Sequence, residues 1–369
     1  MSGPRVYFAT GELSGDRHAA AVASAFRRLV SSASIEATGG PALAAAGAAI
    51  RHPISGLGAF GAAEIVGTIP RHVAVWQDLR RRFREGAIDL LVAVDYPGFH
   101  LRLADAAARS GVPVLYYIAP QLWAWGAHRA ARLRRHIRQL AVILPFEEPF
   151  FHGFDIPTTF VGHPLLDRSF PDRPSARAAL ELPDATSVLS LFPGSRPGEV
   201  RRLWPAFRDA AFQVQSALPE TRVLVATVPG ASYPGGEAFT LCGGDAGPVL
   251  AAGDAALCKS GTTTLEAALC GLPMVVAYRL HPWSFAIARR VVRVPHVSLV
   301  NLIAGRKVVP ELLQGNATPE ALARAVLPLL DRDSRAVREQ RAAFAEIRAR
   351  LGTPGAADRV AEMAAGLVA

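Results

Sequence analysis

Short apolar runs rich in Val, Leu and Ile alternate with amphipathic stretches along most of this chain. In the first half the runs fall at 6–10, 89–95, 112–118 and 140–145, with helical patterns at 17–30, 99–109 and 127–138 between them. That rhythm predicts βαβ units around a parallel sheet. A Pro- and Asp-rich stretch at 170–174 reads as a linker, after which the rhythm restarts. The second series has strands at 188–191, 223–227, 255–258 and 273–278, and helices at 199–218, 262–270 and 284–290. Two more helices follow, opening with Thr318-Pro319 and Thr353-Pro354, where the hydroxyl caps and the proline takes the first turn. The expected architecture is α/β, two Rossmann-like doubly wound domains facing a cleft: residues 1–166 with 353–369 returning to them, and residues 167–352.

Length and composition narrow the class. The chain has 369 residues, half of them apolar, enough for two cores and too apolar for disorder. No apolar stretch reaches the roughly 20 residues of a transmembrane helix, and no signal-peptide core precedes the first strand. Cys242, Cys258 and Cys270 have neither metal-knuckle nor disulfide-framework spacing. The expectation is a cytoplasmic protein, peripherally attached to a membrane or free of it. Lys plus Arg number 40 against 31 Asp plus Glu, and lysine occurs only at 259 and 307, so the basic excess is arginine. Clusters at 80–84 and 129–138 suit phosphorylated small substrates or an acidic membrane surface, or are plain solvated helix faces. No nucleic-acid-binding motif surrounds them.

Ligands of doubly wound sheets sit beyond the carboxyl ends of the strands, so the loops there carry the candidate chemistry. The first, Thr10-Gly11-Glu12-Leu13-Ser14-Gly15-Asp16, lacks the spacing of a dinucleotide loop; it is a tight turn, or a turn that offers Glu12 to the cleft. Asp95 ends a wholly apolar strand and is either a general base in a partly desolvated cleft or the cap of the next helix. Pro193-Gly194-Ser195-Arg196 aims backbone N–H groups, a hydroxyl and a guanidinium at one point beside a helix start. Lys259-Ser260-Gly261-Thr262 repeats the arrangement, and Glu266, one turn in, suits the two hydroxyls of a ribose. Each turn alone is explained by helix capping; two in one domain favour a nucleotide diphosphate. No histidine pair has ligand spacing, and Asp331-Arg332-Asp333 reads as a cap for the helix near Ser334, so no metal and no other cofactor is expected. Arg196 and helix dipoles would balance the leaving-group charge.

These loops, together with 120–125 (Pro-Gln-Leu-Trp-Ala-Trp), 144–147 (Leu-Pro-Phe-Glu), 160–164 (Phe-Val-Gly-His-Pro) and 297–306, resemble one family in order, lipid-A-disaccharide synthase, over nearly the whole chain. The resemblance implies a GT-B fold and transfer, with inversion, of 2,3-diacylglucosamine from its UDP derivative to 2,3-diacylglucosamine 1-phosphate, releasing UDP. It implies Asp95 as catalytic base, Arg196 on the diphosphate, and Glu266 and Asn301 on the nucleotide side. Glu12, Ser14 and Gly15 would form the loop facing the reaction centre. The chain departs from the family at Gly98, where a second aspartate is usual, at Leu13 and Gln121, and in a short 228–254 segment. Acylated substrates would account for an apolar entrance at Leu57 and Phe60 and for a following helix that mixes Ile65, Ile69, Val73, Trp76 and Phe83 with arginines, suited to an acidic inner-membrane surface. The resemblance also allows a homodimer through exchanged C-terminal segments. Two rivals stay open: a UDP-sugar epimerase of the same fold, and a non-catalytic homologue that binds lipid or nucleotide.

Overall fold

The computed structural model describes residues 3–55, 62–280, 285 and 294–369. Leu57, Phe60, His281, the side chain of Ile65 and the helix expected over 284–290, Phe285 apart, lie outside the described residues. The chain divides into two compact units, Met1–Asp167 with Leu351–Ala369, and Arg168–Arg350.

Unit 1 is built on a parallel sheet of seven strands among the described residues: β1 (Arg5–Ala9), β2 (Ser34–Gly39), β3 (Ala49–Pro53), β4 (Leu90–Val94), β5 (Val114–Tyr117), β6 (Gln139–Val142) and β7 (Thr158–Phe160), in the order β3-β2-β1-β4-β5-β6-β7. Successive side chains of β1 point to opposite faces, and both faces are covered. Val6 and Phe8 meet Val22 and Phe26 of helix Leu13–Leu29 and Val360, Ala361 and Ala364 of the C-terminal helix Ala356–Gly366. Tyr7 and Ala9 meet Leu79 and Phe83 of helix Ala62–Arg84 and Leu103 and Ala107 of helix Pro97–Arg109. The last helix therefore completes the first core, as the sequence rhythm predicted. The chain leaving this unit and the chain returning to it lie side by side: His163 donates its N–H to the Leu351 carbonyl at 2.9 Å. Gly162 has a left-handed φ of +78°, and a Cβ there would come 2.9 Å from the Thr353 carbonyl oxygen, so the contact needs glycine. The expected Thr353 cap is not formed, because Gly355 holds the cap position.

Unit 2 repeats the plan with β8 (Val188–Phe192), β9 (Arg222–Ala226), β10 (Thr240–Cys242), β11 (Ala255–Lys259), β12 (Met274–Tyr278) and β13 (Glu311–Leu313), in the order β10-β9-β8-β11-β12-β13, again parallel. Helices Pro197–Ala217 and Pro319–Leu330 cover one face, packing Trp204, Phe207, Leu322 and Val326 onto Leu191, Val225 and Leu257. Thr318 caps the second of these through the Ala321 N–H at 3.2 Å. The short 228–254 segment is ordered by a polar anchor: Trp204 donates its indole N–H to the Pro234 carbonyl at 3.0 Å and Val228 its N–H to the Tyr233 hydroxyl at 3.0 Å.

One buried carboxylate ties the amino-terminal end of this sheet together. Asp254 is paired with Arg173 at 2.6 Å, Arg332 at 2.7 Å and Arg177 at 3.1 Å, and accepts the Val188 N–H at 2.9 Å. Arg332, from the Asp-Arg-Asp string, is thus a structural cation, and it is Ser334 that caps the next helix through the Val337 N–H. The Arg177 side chain is 1% exposed and also donates to four backbone carbonyls. Removing one member of such a pair leaves the other charge buried without its counter-ion, at a cost of about 3–5 kcal/mol. Asp254→Ala is therefore expected to lower the urea unfolding midpoint of unit 2 by that equivalent, and a loss below about 1 kcal/mol, the value of an exposed pair, would contradict this account.

Candidate active site

In each unit the strand order reverses next to the first strand, between β1 and β4 and between β8 and β11. Loops at such a reversal part to opposite faces and leave a crevice at the carboxyl ends of the strands. The four segments singled out in the sequence, 10–16, 95–98, 193–196 and 259–262, are the loops at these two reversals.

In unit 1, Asp95 and Tyr96 take left-handed φ values of +50° and +52°, a conformation costing non-glycine residues of order 1 kcal/mol each. The Asp95 backbone is clamped to hold it. Its N–H donates to the Tyr117 carbonyl at 2.9 Å, and its own carbonyl accepts from the Tyr116 hydroxyl and from His100 Nδ1, both at 2.7 Å. His100 is fully buried, which pushes its pKa down to about 4, so the ring is neutral with Nδ1 as donor. The carboxylate reaches solvent, while the surrounding protein raises its pKa above the ordinary aspartate range against the opposing Tyr96 N–H. Asp95 is thus not the side-chain cap of helix Pro97–Arg109, whose cap position is Tyr96.

Gly11 packs on the Tyr96 ring: a Cβ would fall 2.2 Å from Tyr96 Cγ, so glycine is required by close approach. Glu12 follows at the cap position of helix Leu13–Leu29, half-buried and near enough to Tyr96 to raise its pKa alongside burial. Ser14 is exposed and Gly15 buried beneath it. Asp16 turns away and accepts the Gly40 and Ala42 N–H groups at 2.6 and 2.9 Å, a structural role.

The residues that follow Asp95, Tyr96 to Phe99, line a cavity of about 700 Å³ between helices Ala62–Arg84 and Pro97–Arg109. Ile69, Val73, Trp76 and Phe99 supply apolar walls, and His72, Tyr96 and Arg102 the polar positions. Ile69 and Val73 remain 50% and 44% exposed. His72 donates Nδ1–H to the Thr68 carbonyl at 2.9 Å, which leaves Nε2 to accept from the Tyr96 hydroxyl at 3.1 Å. The helix pattern read as membrane-facing thus has a concave side next to the candidate base.

In unit 2 the structure adds a residue that sequence reasoning missed. Glu199 accepts the Ser195 N–H at 3.0 Å and its hydroxyl at 3.3 Å with one oxygen, and pairs with Lys259 Nζ at 2.8 Å with the other. It joins the two turns. Burial alone would raise its pKa, but Lys259 outweighs this and holds Glu199 ionised below the usual range. A glutamate three residues after the helix cap was the available signal. The Ser195 N–H and hydroxyl are thus turned to Glu199, and the Ser260 hydroxyl donates to the Val297 carbonyl at 2.9 Å. Gly194 and Gly261 have φ of +151° and +158°, and a Cβ on Gly194 would come 2.6 Å from the Glu199 Cβ. Arg196 and Thr262 are exposed at the starts of helices Pro197–Ala217 and Thr262–Leu269.

Glu266 and Asn301 are placed differently. Glu266 is half-buried, its carboxyl raised by burial, and Arg168 is hydrogen-bonded to both Glu266 and Asp245. Asn301 is wholly buried: Oδ1 accepts the Val308 and Val309 N–H groups at 2.7 and 3.0 Å, and Nδ2 donates to the Val309 carbonyl and Glu311 at 3.0 and 2.8 Å. Its amide is fully used in fixing the 298–311 loop, so it shapes the site from beneath.

A sequence profile of the lipid-A-disaccharide synthetase family matches residues 6–359. Lipid-A-disaccharide synthase of Anaeromyxobacter dehalogenans is 41% identical over 99% of this chain and 97% of its own, and that of Geobacter sulfurreducens 36% identical over 97% and 95%. The chain belongs to the lipid-A-disaccharide synthetase family. As a member of that family it is a glycosyltransferase of lipid A biosynthesis. Its GT-B fold is shared with the calicheamicin glycosyltransferase CalG4 (TM-score 0.61, 18% identity, 100% of this chain and 98% of that one). A putative UDP-N-acetylglucosamine 2-epimerase from Listeria monocytogenes has the fold as well (TM-score 0.66, 11% identity, 98% and 95%). Fold alone therefore does not separate transferase from epimerase; the sequence family does. Among the described residues no helix is long and apolar enough to cross a membrane, and no three His, Cys, Asp or Glu residues gather as a metal site.

Two segments typical of this synthetase family meet at Glu147. It is buried and accepts the Trp123 indole N–H at 3.0 Å and the Leu144 N–H at 3.1 Å; burial raises its pKa to about 7. A folded-state pKa above the unfolded one gives stability that is present at low pH and lost as pH rises. The stability of the wild type relative to Glu147→Gln is therefore expected to fall between pH 4.5 and about 7 and to level off above, as read from thermal midpoints. A pH-independent difference would refute the assignment.

Proposed function

We propose that this family member transfers an acylated glucosamine from UDP to an acylated glucosamine 1-phosphate with inversion at the donor carbon. Asp95 takes the proton of the acceptor 6-hydroxyl as that oxygen bonds to donor C1. The bond from C1 to the diphosphate oxygen breaks on the opposite face, and UDP leaves with the electron pair. The observation that carries the reading is a carboxylate on a clamped left-handed backbone, directly before Tyr96 to Phe99, which line an apolar cavity; desolvation that raises its pKa suits a base. In that cavity Ile69, Val73, Trp76 and Phe99 receive an acceptor acyl chain.

The donor belongs to unit 2. Arg196, Thr262 and the two helix starts face the diphosphate, Gly194 and Gly261 let the backbone approach it, and Glu266 accepts from the ribose. Glu199 and Lys259 keep the two turns in register. Charge on the departing UDP is balanced by Arg196 and the helix N-termini, so the reading assigns no metal and EDTA is expected to leave transfer unchanged. The exposed Ile69 and Val73, with the exposed Arg81 and Arg84 further along the helix, favour attachment to an acidic membrane surface on the cytoplasmic side.

Asp95→Asn is expected to lower kcat for UDP release by about a hundredfold or more while UDP still binds, since general-base catalysis contributes of that order. In the wild type the rate rises with pH as Asp95 loses its proton, with a midpoint above the ordinary aspartate range. Transfer at wild-type rate by the variant excludes Asp95 as base. Tyr116→Phe removes one of the two side-chain donors to the Asp95 carbonyl at about 1 kcal/mol of stability. It should lower kcat more than it raises acceptor KM; a change in KM alone would show that the clamp has no part in catalysis.

A further inference from the structure

The helix that follows Asp95 carries a cation with no ion-pair partner among the described residues. Helix Pro97–Arg109 contains one acidic residue, Asp105, which is bonded to Arg109 at 2.9 Å and faces His136 at 3.5 Å. Arg102 forms no ion pair among the described residues, is exposed, and lines the cavity together with Gly98. Gly98 lies one turn before it, at the i, i+4 spacing at which a carboxylate would pair with an arginine. A Cβ at Gly98 would meet nothing within 4 Å, so packing does not demand glycine there. The missing side chain has a different consequence. The wall around Arg102 is left open and its charge unneutralised at the mouth of an apolar cavity.

The geometry points to Arg102 as the residue that receives the phosphomonoester of the acceptor, and to Gly98 as the position that keeps it available. This rests on the acceptor assignment made above for the same cavity. Arg102 is five residues beyond Pro97, roughly 7 Å along the helix axis, so it stands away from Asp95 by about the width of a sugar ring. A glucosamine whose 6-hydroxyl meets Asp95 can therefore present its 1-phosphate to Arg102 while an acyl chain enters between Val73, Trp76 and Phe99. A guanidinium suits this because it forms paired, charge-assisted hydrogen bonds to phosphate oxygens.

The test compares acceptors within each enzyme. UDP release by the full chain is measured with an acylated glucosamine 1-phosphate and with the same acylated glucosamine lacking the phosphate, for the wild type, Arg102→Ala, Arg102→Lys and Gly98→Asp. The readout is the ratio of the two kcat/KM values, which a loss of folding or of general activity does not move. The ratio is expected to fall about tenfold in Arg102→Ala, in line with the loss of a charged hydrogen bond. It should fall comparably in Gly98→Asp, where the new carboxylate pairs with Arg102, and less in Arg102→Lys. An unchanged ratio in Arg102→Ala, with normal wild-type turnover, overturns the proposal and leaves the acceptor assignment standing. No wild-type turnover of either acceptor overturns that assignment and the role of Arg102 together.

Discussion

The reversal of strand order beside the first strand of each sheet is the constraint on which the rest of the site depends. A parallel strand ends with its carbonyls and its next loop at one edge of the sheet, and only at a reversal do two neighbouring loops part to opposite faces. β1 and β4 meet at one reversal and β8 and β11 at the other. Each pair is buried on both faces, so neither loop can shift without disturbing a core. The chemistry is carried by loops fixed at their roots.

What happens at the two reversals differs in kind. In unit 1 the loop after β4 is forced into a left-handed bend, and its backbone is held by Tyr116 and His100 from the sheet and the next helix. Both are buried and neutral, so they fix the carbonyl of Asp95 without lending charge to its carboxylate. That allows burial to raise the carboxyl pKa, as a base requires. In unit 2 the two turns are joined by an ion pair between Glu199 and Lys259. The pair fixes the geometry of the turns; in the proposed reaction the attraction for phosphate is then left to Arg196 and the helix starts.

How much of this could be read from the sequence follows from burial. β1, β4, β8 and β11 are central and mostly apolar, and their positions and the loops behind them were legible. β3, β10 and β13 are three to five residues long at sheet edges, and β2 carries Ser34, Glu36 and Thr38; these gave no apolar run and were not anticipated. Side-chain pairing was the second blind spot. Ser195, Ser260 and Asn301 are residue types that bind ligands, yet the same polarity lets them bond within the protein, Ser195 to the Glu199 carboxylate and Ser260 and Asn301 to backbone, and the sequence does not show these partners. Arg168, placed by sequence at the edge of a linker, proves to hold Glu266, a contact between residues 98 apart.

One departure from the family pattern, Gly98, belongs to a connected set of residues around the cavity. Gly98 was conspicuous as the position where an aspartate is usual, and in isolation it reads as a lost acidic group. In the structure it belongs with Tyr96, whose ring rests on Gly11 and bonds to His72, and with Arg102 one turn on. An aspartate at 98 would face Arg102 on the same side of the helix and near the carboxylate of Asp95, raising the cost of ionising the base. Its absence leaves Arg102 without an ion pair among the described residues. Loss of a side chain here changes the charge arrangement of the cavity without disturbing a packed contact, which is why the substitution is compatible with an intact catalytic loop.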